Sequence, residues 1–438
     1  MEETLEKNER LKWFKEAKYG MFVHWGIYSA IKHGEQAFGR DLMPKSEYEP
    51  YAFKFKPAAD WADKITVKAV DSGMKYIVLT TRHHDGYCMF DTATNNFNAV
   101  KTGPGRDLVR EYVEAARKAG LKVGFYYSLL NWRWPAQWEP EKYSQQFPEM
   151  VNEIHTQLRE LMTNYGKIDI LWYDGSQVPG YGCHGTWEGT PIKQKTAEFY
   201  QSQKLNAMVR ELQPEILINN RSGIMEDFGT PEQHITPDTE GNYWEACMTI
   251  NNAPGWAYLP FSMANKTPGE LLYNLVNAIR LGGNFLFNVG PNPQGYVDIR
   301  EGEALSLVGA WLRKHGEAIF GTSPGLIYGK NGMPQGPMFQ YGMWTCRGNT
   351  GYFIFTYYSG EELIVSKIAP GIKSAVLLTT GQKLVLEKTT NGRTIIKGLP
   401  STPPDALAAV IKAEFEGPPK MIKKYTADWL EGNFIPEE

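Results

Sequence analysis

Short apolar runs rich in β-branched and aromatic residues alternate with longer amphipathic stretches over the first three quarters of the chain. The runs are GMFVHWG (20–26), YIVLTTRHHDG (76–86), VGFYYS (123–128), IDILWYDG (168–175), EILINNR (215–221) and NFLFNVG (284–290). Between them, apolar positions recur at helical spacing over 8–18, 58–73, 107–119, 148–165, 192–213, 268–281 and 302–318. Asp107 stands where an N-cap is wanted, and its helix stops at Gly120. Such alternation predicts a parallel sheet. Strands that are apolar at almost every position predict a sheet covered on both faces. Six strands of this kind fit a closed barrel and an open doubly wound sheet equally well. The stretches 130–147, 176–191 and 223–265 carry many Trp and Tyr residues and read as long loops over a site.

Near residue 325 the period changes. Segments 338–346, 351–358, 374–379, 382–388, 393–398 and 407–415 alternate at period two between Gly, Asn, Ser and Pro turns. This predicts an antiparallel β-sandwich over 326–438, following an α/β unit over 1–325. A length of 438 residues accommodates the pair, since a barrel alone takes about 250 residues. The net charge of −3, with Lys and Arg scattered, argues against a nucleic-acid or anionic-membrane partner. Four Cys without a CxxC pair indicate neither a disulfide framework nor a zinc knuckle. The charged start MEETLEKNERLKWFKEAKYG lacks the apolar core of a signal peptide. As written, a cytoplasmic protein is expected, and a periplasmic or secreted one if Met1 replaces a removed signal. The 13 Trp, 24 Tyr and 20 Phe supply flat faces of the kind that stack on sugar rings.

The chemistry concentrates where the strands end. His24 follows MFV, His83, His84 and Asp85 follow IVLTTR, Tyr126, Tyr127 and Ser128 follow VGF, Asp174 follows ILWY, and Asn219, Asn220 and Arg221 follow ILI. Active sites of parallel α/β proteins lie at the carboxyl ends of the strands, so these side chains converge on one cavity. Asp174, one residue before Gly175, is a carboxylate that a rigid sheet can aim into that cavity. A glycosidase needs one ionised group of this kind and a second, protonated one for the leaving oxygen. Glu232, Glu240 and Glu245, all on the stretch read as a loop after Arg221, are the candidates for the second, and spacing does not choose among them. The HHD triplet invites a zinc reading. Adjacent residues on a strand point to opposite faces, however, and the alternating HxH of barrel metallohydrolases is absent. No metal is expected. His donors to sugar hydroxyls, with Trp25 and Arg221 beside them, account better for the set.

The blocks KYGMFVHWGIYS, GMKYIVLTTRHHDGYCMFDT, RDLVREYVEAARKAGLKVGFYYS, IDILWYDG, DFGTPEQ and LGGNFLFNVGP, between about residue 10 and residue 322, resemble the landmarks of the α-L-fucosidases of glycoside hydrolase family 29. The resemblance implies a (β/α)8-like barrel followed by a C-terminal β-sandwich. It also implies a retaining exo-glycosidase for terminal α-L-fucose, with a fucosylated oligosaccharide or glycoconjugate as partner and no cofactor. By motif, Asp174 is the nucleophile and Glu232 the acid/base, with Glu245 as the alternative. The same likeness makes His24, Glu35, His83, His84, a tyrosine (Tyr126 or Tyr127), Trp172 and Arg221 pocket residues, and lays Trp256 against the apolar face of the sugar. The chain departs from the family's usual Glu-Trp by carrying Glu35-Gln36. Losing an aromatic that helps enclose the C5 methyl makes a related sugar, such as an α-L-galactoside, a second expectation.

Overall fold

The computed structural model describes residues 2–175, 192–238, 241–252, 255–260, 264–324, 326, 341–358, 360–390 and 392–422. Eight parallel strands form its first sheet: β1 (Tyr19–Val23), β2 (Tyr76–Arg82), β3 (Lys122–Ser128), β4 (Ile170–Asp174), β5 (Leu217–Ile218), β6 (Phe228–Gly229), β7 (Tyr243–Thr249) and β8 (Asn284–Val289). Their order is β5-β4-β3-β2-β1-β8-β7-β6. The two edges meet through a parallel bridge between Asn219 and Phe228, which closes a barrel.

Alternation along the strands sorts side chains into two layers. Phe22, Tyr76, Val78, Tyr126, Ile170, Trp172, Leu217, Phe228, Cys247 and Leu286 fill the barrel interior. Their neighbours Met21, Ile77, Leu79, Phe125, Tyr127, Leu171, Tyr173 and Phe287 face the helices instead. That double burial is why the runs read as continuously apolar. Helices Trp61–Asp71, Leu108–Lys118, Phe147–Asn164 and Pro268–Arg280 cover the outer layer. The Asp107 side chain caps the second of these, accepting from the Arg110 N–H at 2.9 Å.

Two expectations need correction. The stretch 223–265 is not one loop, because it contains β6 and the seven-residue β7. Among the described residues no helix lies between β5 and β6 or between β6 and β7, so the alternation that reveals the other strands is missing there. The helical pattern 192–213 is broken in two, Ile192–Phe199 and Ser202–Leu212, with Gln201 left-handed at φ 51°.

The C-terminal strands are β9 (Gly342–Arg347), β10 (Thr350–Phe355), β11 (Glu362–Val365), β12 (Ile368–Ala369), β13 (Ile372–Leu377), β14 (Gln382–Lys388), β15 (Thr394–Lys397), β16 (Val410–Phe415) and β17 (Lys420–Met421). Seven form an antiparallel sheet ordered β11-β15-β14-β13-β16-β10-β9, and β12 pairs with β17. Trp344, Phe353, Leu363, Leu377, Leu384, Ile396 and Ile411, one from each of the seven, share one core. A flat sheet of that width would span about 29 Å, so it must curl over itself in a sandwich-like way. The opposite parity (Met343, Tyr352, Ile354, Val410) packs against the barrel's helical layer. There Trp311 Nε1 donates to Ala408 O at 2.8 Å. No helix among the described residues is long and apolar enough to cross a membrane.

Candidate active site

A cavity of about 130 Å³ opens at the carboxyl ends of the barrel strands. Register brings its parts level: Ser128 of β3 pairs with Asp174 of β4, and Thr80 of β2 with Tyr126 of β3. The cavity gathers His24, Glu35, Gln36, His83, His84, Tyr126, Trp172, Asp174, Arg221, Glu232 and Trp256. Gly175 also lines it, and Phe22, Leu130, Trp132 and Cys247, which were not singled out from sequence, complete the wall. Inward parity in the apolar runs could have found Phe22. Cys247 lies on the undetected β7.

Asp174 ends its strand because Gly175 follows at φ +72°, where a Cβ would meet Leu130 Cγ at 2.6 Å. The turn is therefore open only to glycine. Each carboxylate oxygen of Asp174 has a donor: Arg221 Nη1 reaches Oδ1 at 2.8 Å, and the Tyr126 hydroxyl reaches Oδ2 at 2.7 Å. Burial pushes this carboxyl up, but Arg221, His84, the Tyr126 hydroxyl and the Gly175 N–H outweigh it and hold it well below the usual carboxylate range. Asp174 is therefore ionised across the neutral range.

Arg221 forks. Its Nη2 donates to Glu232 Oε2 at 2.8 Å, its Nε to Thr230 Oγ1 at 2.9 Å, and its guanidinium lies 4.5 Å from the Trp172 ring centroid. One planar group thus joins the two carboxylates. Glu232 is the more open of the pair, with its side chain 30% exposed against 17% for Asp174. An acid that must meet leaving groups from outside is suited by that placement.

The three histidines are neutral, and the tautomers of His24 and His84 follow from their partners. Asn288 Nδ2 donates to Trp256 O at 2.6 Å, so its Oδ1, 2.6 Å from His24 Nδ1, must accept. Ser128 Oγ donates to Leu130 O at 3.1 Å and so accepts from His84 Nδ1 at 2.6 Å. Both rings therefore keep an Nε2 lone pair for a hydroxyl donor. Burial drives their pKa values down, to about 3 for His24 and about 4 for His84. His84 Nε2 and Asp174 Oδ2 lie 3.7 Å apart, both as acceptors. His83 stacks on Tyr126 at 5.3 Å and 4°, with its Nδ1 buried and unpartnered. Glu35 Oε2 accepts from the backbone N–H groups of Trp256 at 2.8 Å and Ala257 at 3.0 Å, and so fixes the segment that carries Trp256.

Several sequence expectations fall outside this wall. Trp25 is wholly buried between Phe55 and Trp61, with its Nε1 donating to Asn292 O at 2.8 Å. Tyr127 has the outward parity of β3, and its hydroxyl donates to Gln157 Oε1 at 2.7 Å. Of the tyrosine pair only Tyr126 faces the cavity. Glu245 lies on β7, not on a loop; it is fully buried and does not line the cavity. Glu240 is outside the described residues. The adjacency argument about the His pair also fails: β2 ends at Arg82, and both rings turn inward. Donor atoms of His83, His84 and Asp174 consequently lie within 4.8 Å of one another. Arg221 already brings a positive charge to the Asp174 carboxylate, where a metal ion would have to compete with it.

A family model described as Alpha-L-fucosidase matches residues 1–317. The plasma alpha-L-fucosidase of Homo sapiens is 32% identical over 353 residues, covering 73% of this chain and 71% of that protein. The tissue alpha-L-fucosidase of Bos taurus is 29% identical, covering 90% and 86%. Among solved structures, alpha-L-fucosidase isoenzyme 1 from Paenibacillus thiaminolyticus superposes with a TM-score of 0.81 at 32% identity, covering 94% of this chain and 100% of that one. An alpha-L-fucosidase from Bacteroides thetaiotaomicron, trapped as a covalent intermediate with 2-fluoro-fucosyl fluoride, gives 0.78 at 26% identity, covering 93% and 96%.

Proposed function

The chain belongs to the α-L-fucosidase family, and from that premise we propose that Asp174 is its nucleophile and Glu232 its acid/base. The enzyme is a retaining glycoside hydrolase for terminal α-L-fucosyl residues of oligosaccharides or glycoconjugates. The Asp174 carboxylate attacks the anomeric carbon while Glu232 protonates the departing oxygen, leaving a covalent fucosyl ester. Glu232 then takes a proton from the water that attacks the same carbon, fucose leaves, and the carboxylate is restored. His24 and His84 accept from ring hydroxyls, Glu35 and Arg221 complete the polar grip, and Trp256 faces the apolar side of the ring. The observation that carries this reading is the Arg221 fork, which ties two carboxylates of unequal exposure to one guanidinium. We assign the catalysis to residues 1–325 and a supporting role to 326–438.

Glu232→Ala separates the two roles. Substrates with poor leaving groups should lose about 10²–10⁴-fold in kcat/KM, and activated aryl fucosides far less, because only the former need a proton. Equal losses on both substrate types would remove Glu232 from the acid/base role.

Gln36 in the cavity wall favours a second reading, a sugar altered at C6. Aryl α-L-fucoside and α-L-galactoside differ there by one hydroxyl. The fucoside should be preferred by about 10²-fold, the usual discrimination for an added hydroxyl. A ratio near unity would support the broader specificity.

A further inference from the structure

Trp138 is the only exposed tryptophan among the described residues, with 40% of its surface open to solvent. It ends the short helix Pro135–Trp138, in the segment that leaves the carboxyl end of β3, where the cavity opens. A ring of that area is ordinarily buried. This one is wet and yet held in place. Its Nε1 donates to Trp132 O at 2.8 Å, and the two rings meet obliquely, at 6.0 Å and 45°. The hydrogen bond pins one edge of the indole, and no other ring among the described residues packs on its faces.

Trp132 carries the link inward. Its backbone N–H donates to His84 O at 2.8 Å, and its ring lies 4.9 Å from the His84 ring in the cavity wall. On Gly39 a Cβ would meet Trp132 Cε3 at 2.8 Å, so the ring sits closely over bare backbone there. Two hydrogen bonds thus tie Trp138 to His84 through one residue. An aromatic surface runs without a break from the cavity wall to solvent.

We propose that Trp138 is the platform for the sugar to which fucose is joined, stacking on the C–H face of that pyranose outside the cavity. The inference rests on the cavity holding the terminal fucose. An exo-acting cavity takes one ring, and the rest of the glycan lies across its rim. A tryptophan offers that second ring a broad apolar face and one polar edge. Here the edge is already engaged by Trp132 O. Trp138 therefore selects a pyranose by the flatness of its C–H face, not by its hydroxyl pattern.

Binding energy made away from the reacting ring appears in kcat/KM. Trp138→Ala should lower kcat/KM for a fucosylated oligosaccharide about 10-fold, the scale of one lost ring contact. α-L-Fucosyl fluoride, whose leaving group is a single atom, should be turned over as by the wild type. Trp138→Phe keeps a flat face and should retain most of the oligosaccharide rate, although it cannot donate to Trp132 O. An unaltered oligosaccharide rate in folded Trp138→Ala overturns the proposal. So does an equal loss on the fluoride, which would mean that the ring only props Trp132 against His84. A Phe variant as slow as the Ala variant overturns it too. A wild type inactive on the fluoride would strike the reading of the cavity as the fucose site, and the platform with it, so the two failures are told apart.

Discussion

Asp174→Ala should lower kcat/KM for an aryl α-L-fucoside by about 10⁴-fold or more, as loss of a covalent nucleophile does elsewhere. The fold should survive, because Arg221 retains Glu232 at 2.8 Å and Thr230 Oγ1 at 2.9 Å. The vacated space beside Arg221 and Tyr126 admits a small anion. Azide or formate should therefore restore part of the rate with activated substrates, in proportion to its concentration, and azide should leave as a glycosyl azide. Product analysis checks this directly. Turnover unchanged by the substitution, or lost turnover that no anion restores, would remove Asp174 from the bond-forming step.

Arg221→Met carries the second large effect. The guanidinium is the main opponent of the burial that would otherwise push Asp174 up. Without it burial is opposed more weakly, and the acid limb of kcat/KM should climb by about two pH units. The plateau should also fall by about 10²–10³-fold, the usual loss when a preorganised charge is deleted. Stability depends on pH as well. In the wild type the native pKa of Asp174 lies below its unfolded value, so its contribution is present above about pH 4. That contribution fades as the pH falls through the native value. In the variant the native pKa moves up toward the unfolded one, and most of that contribution is lost. Near neutrality the cost should be about 3 kcal/mol, the low end for a broken buried pair, because both carboxylates keep some contact with water. Activity profiles and thermal melts at paired pH values measure the two effects. An acid limb identical to wild type would show that Arg221 does not govern the nucleophile.

How much of the fold and site is legible in the sequence depends on which signal each residue leaves in the chain. Six barrel strands were visible because helices separate them, and β6 and β7 were not because no helix among the described residues does. His24, Asp174 and Arg221 stood out as polar residues closing apolar runs. The choice between Tyr126 and Tyr127 was also open to parity. Phe125 and Tyr127 share a face of β3, and that face is the one turned to the helices. Trp25 misled for a related reason, since a Trp beside a cavity histidine looks like a platform until its own neighbours, Phe55 and Trp61, are known. The forked guanidinium left no trace at all. Positions 174, 221 and 232 are joined only by the closure of the barrel.

The curled C-terminal sheet has a consequence for how this protein can evolve. Its strands β9, β10 and β16 line their own core with one side, and with the other set Met343, Tyr352, Ile354 and Val410 against the outside of the barrel. A gene fragment ending before them would leave a dry seam open to water, and a sheet borrowed from another protein would have to bring matching odd and even positions. Drift at Met343 or Ile354 therefore answers to Trp311 and its neighbours across the seam as much as to its own sheet.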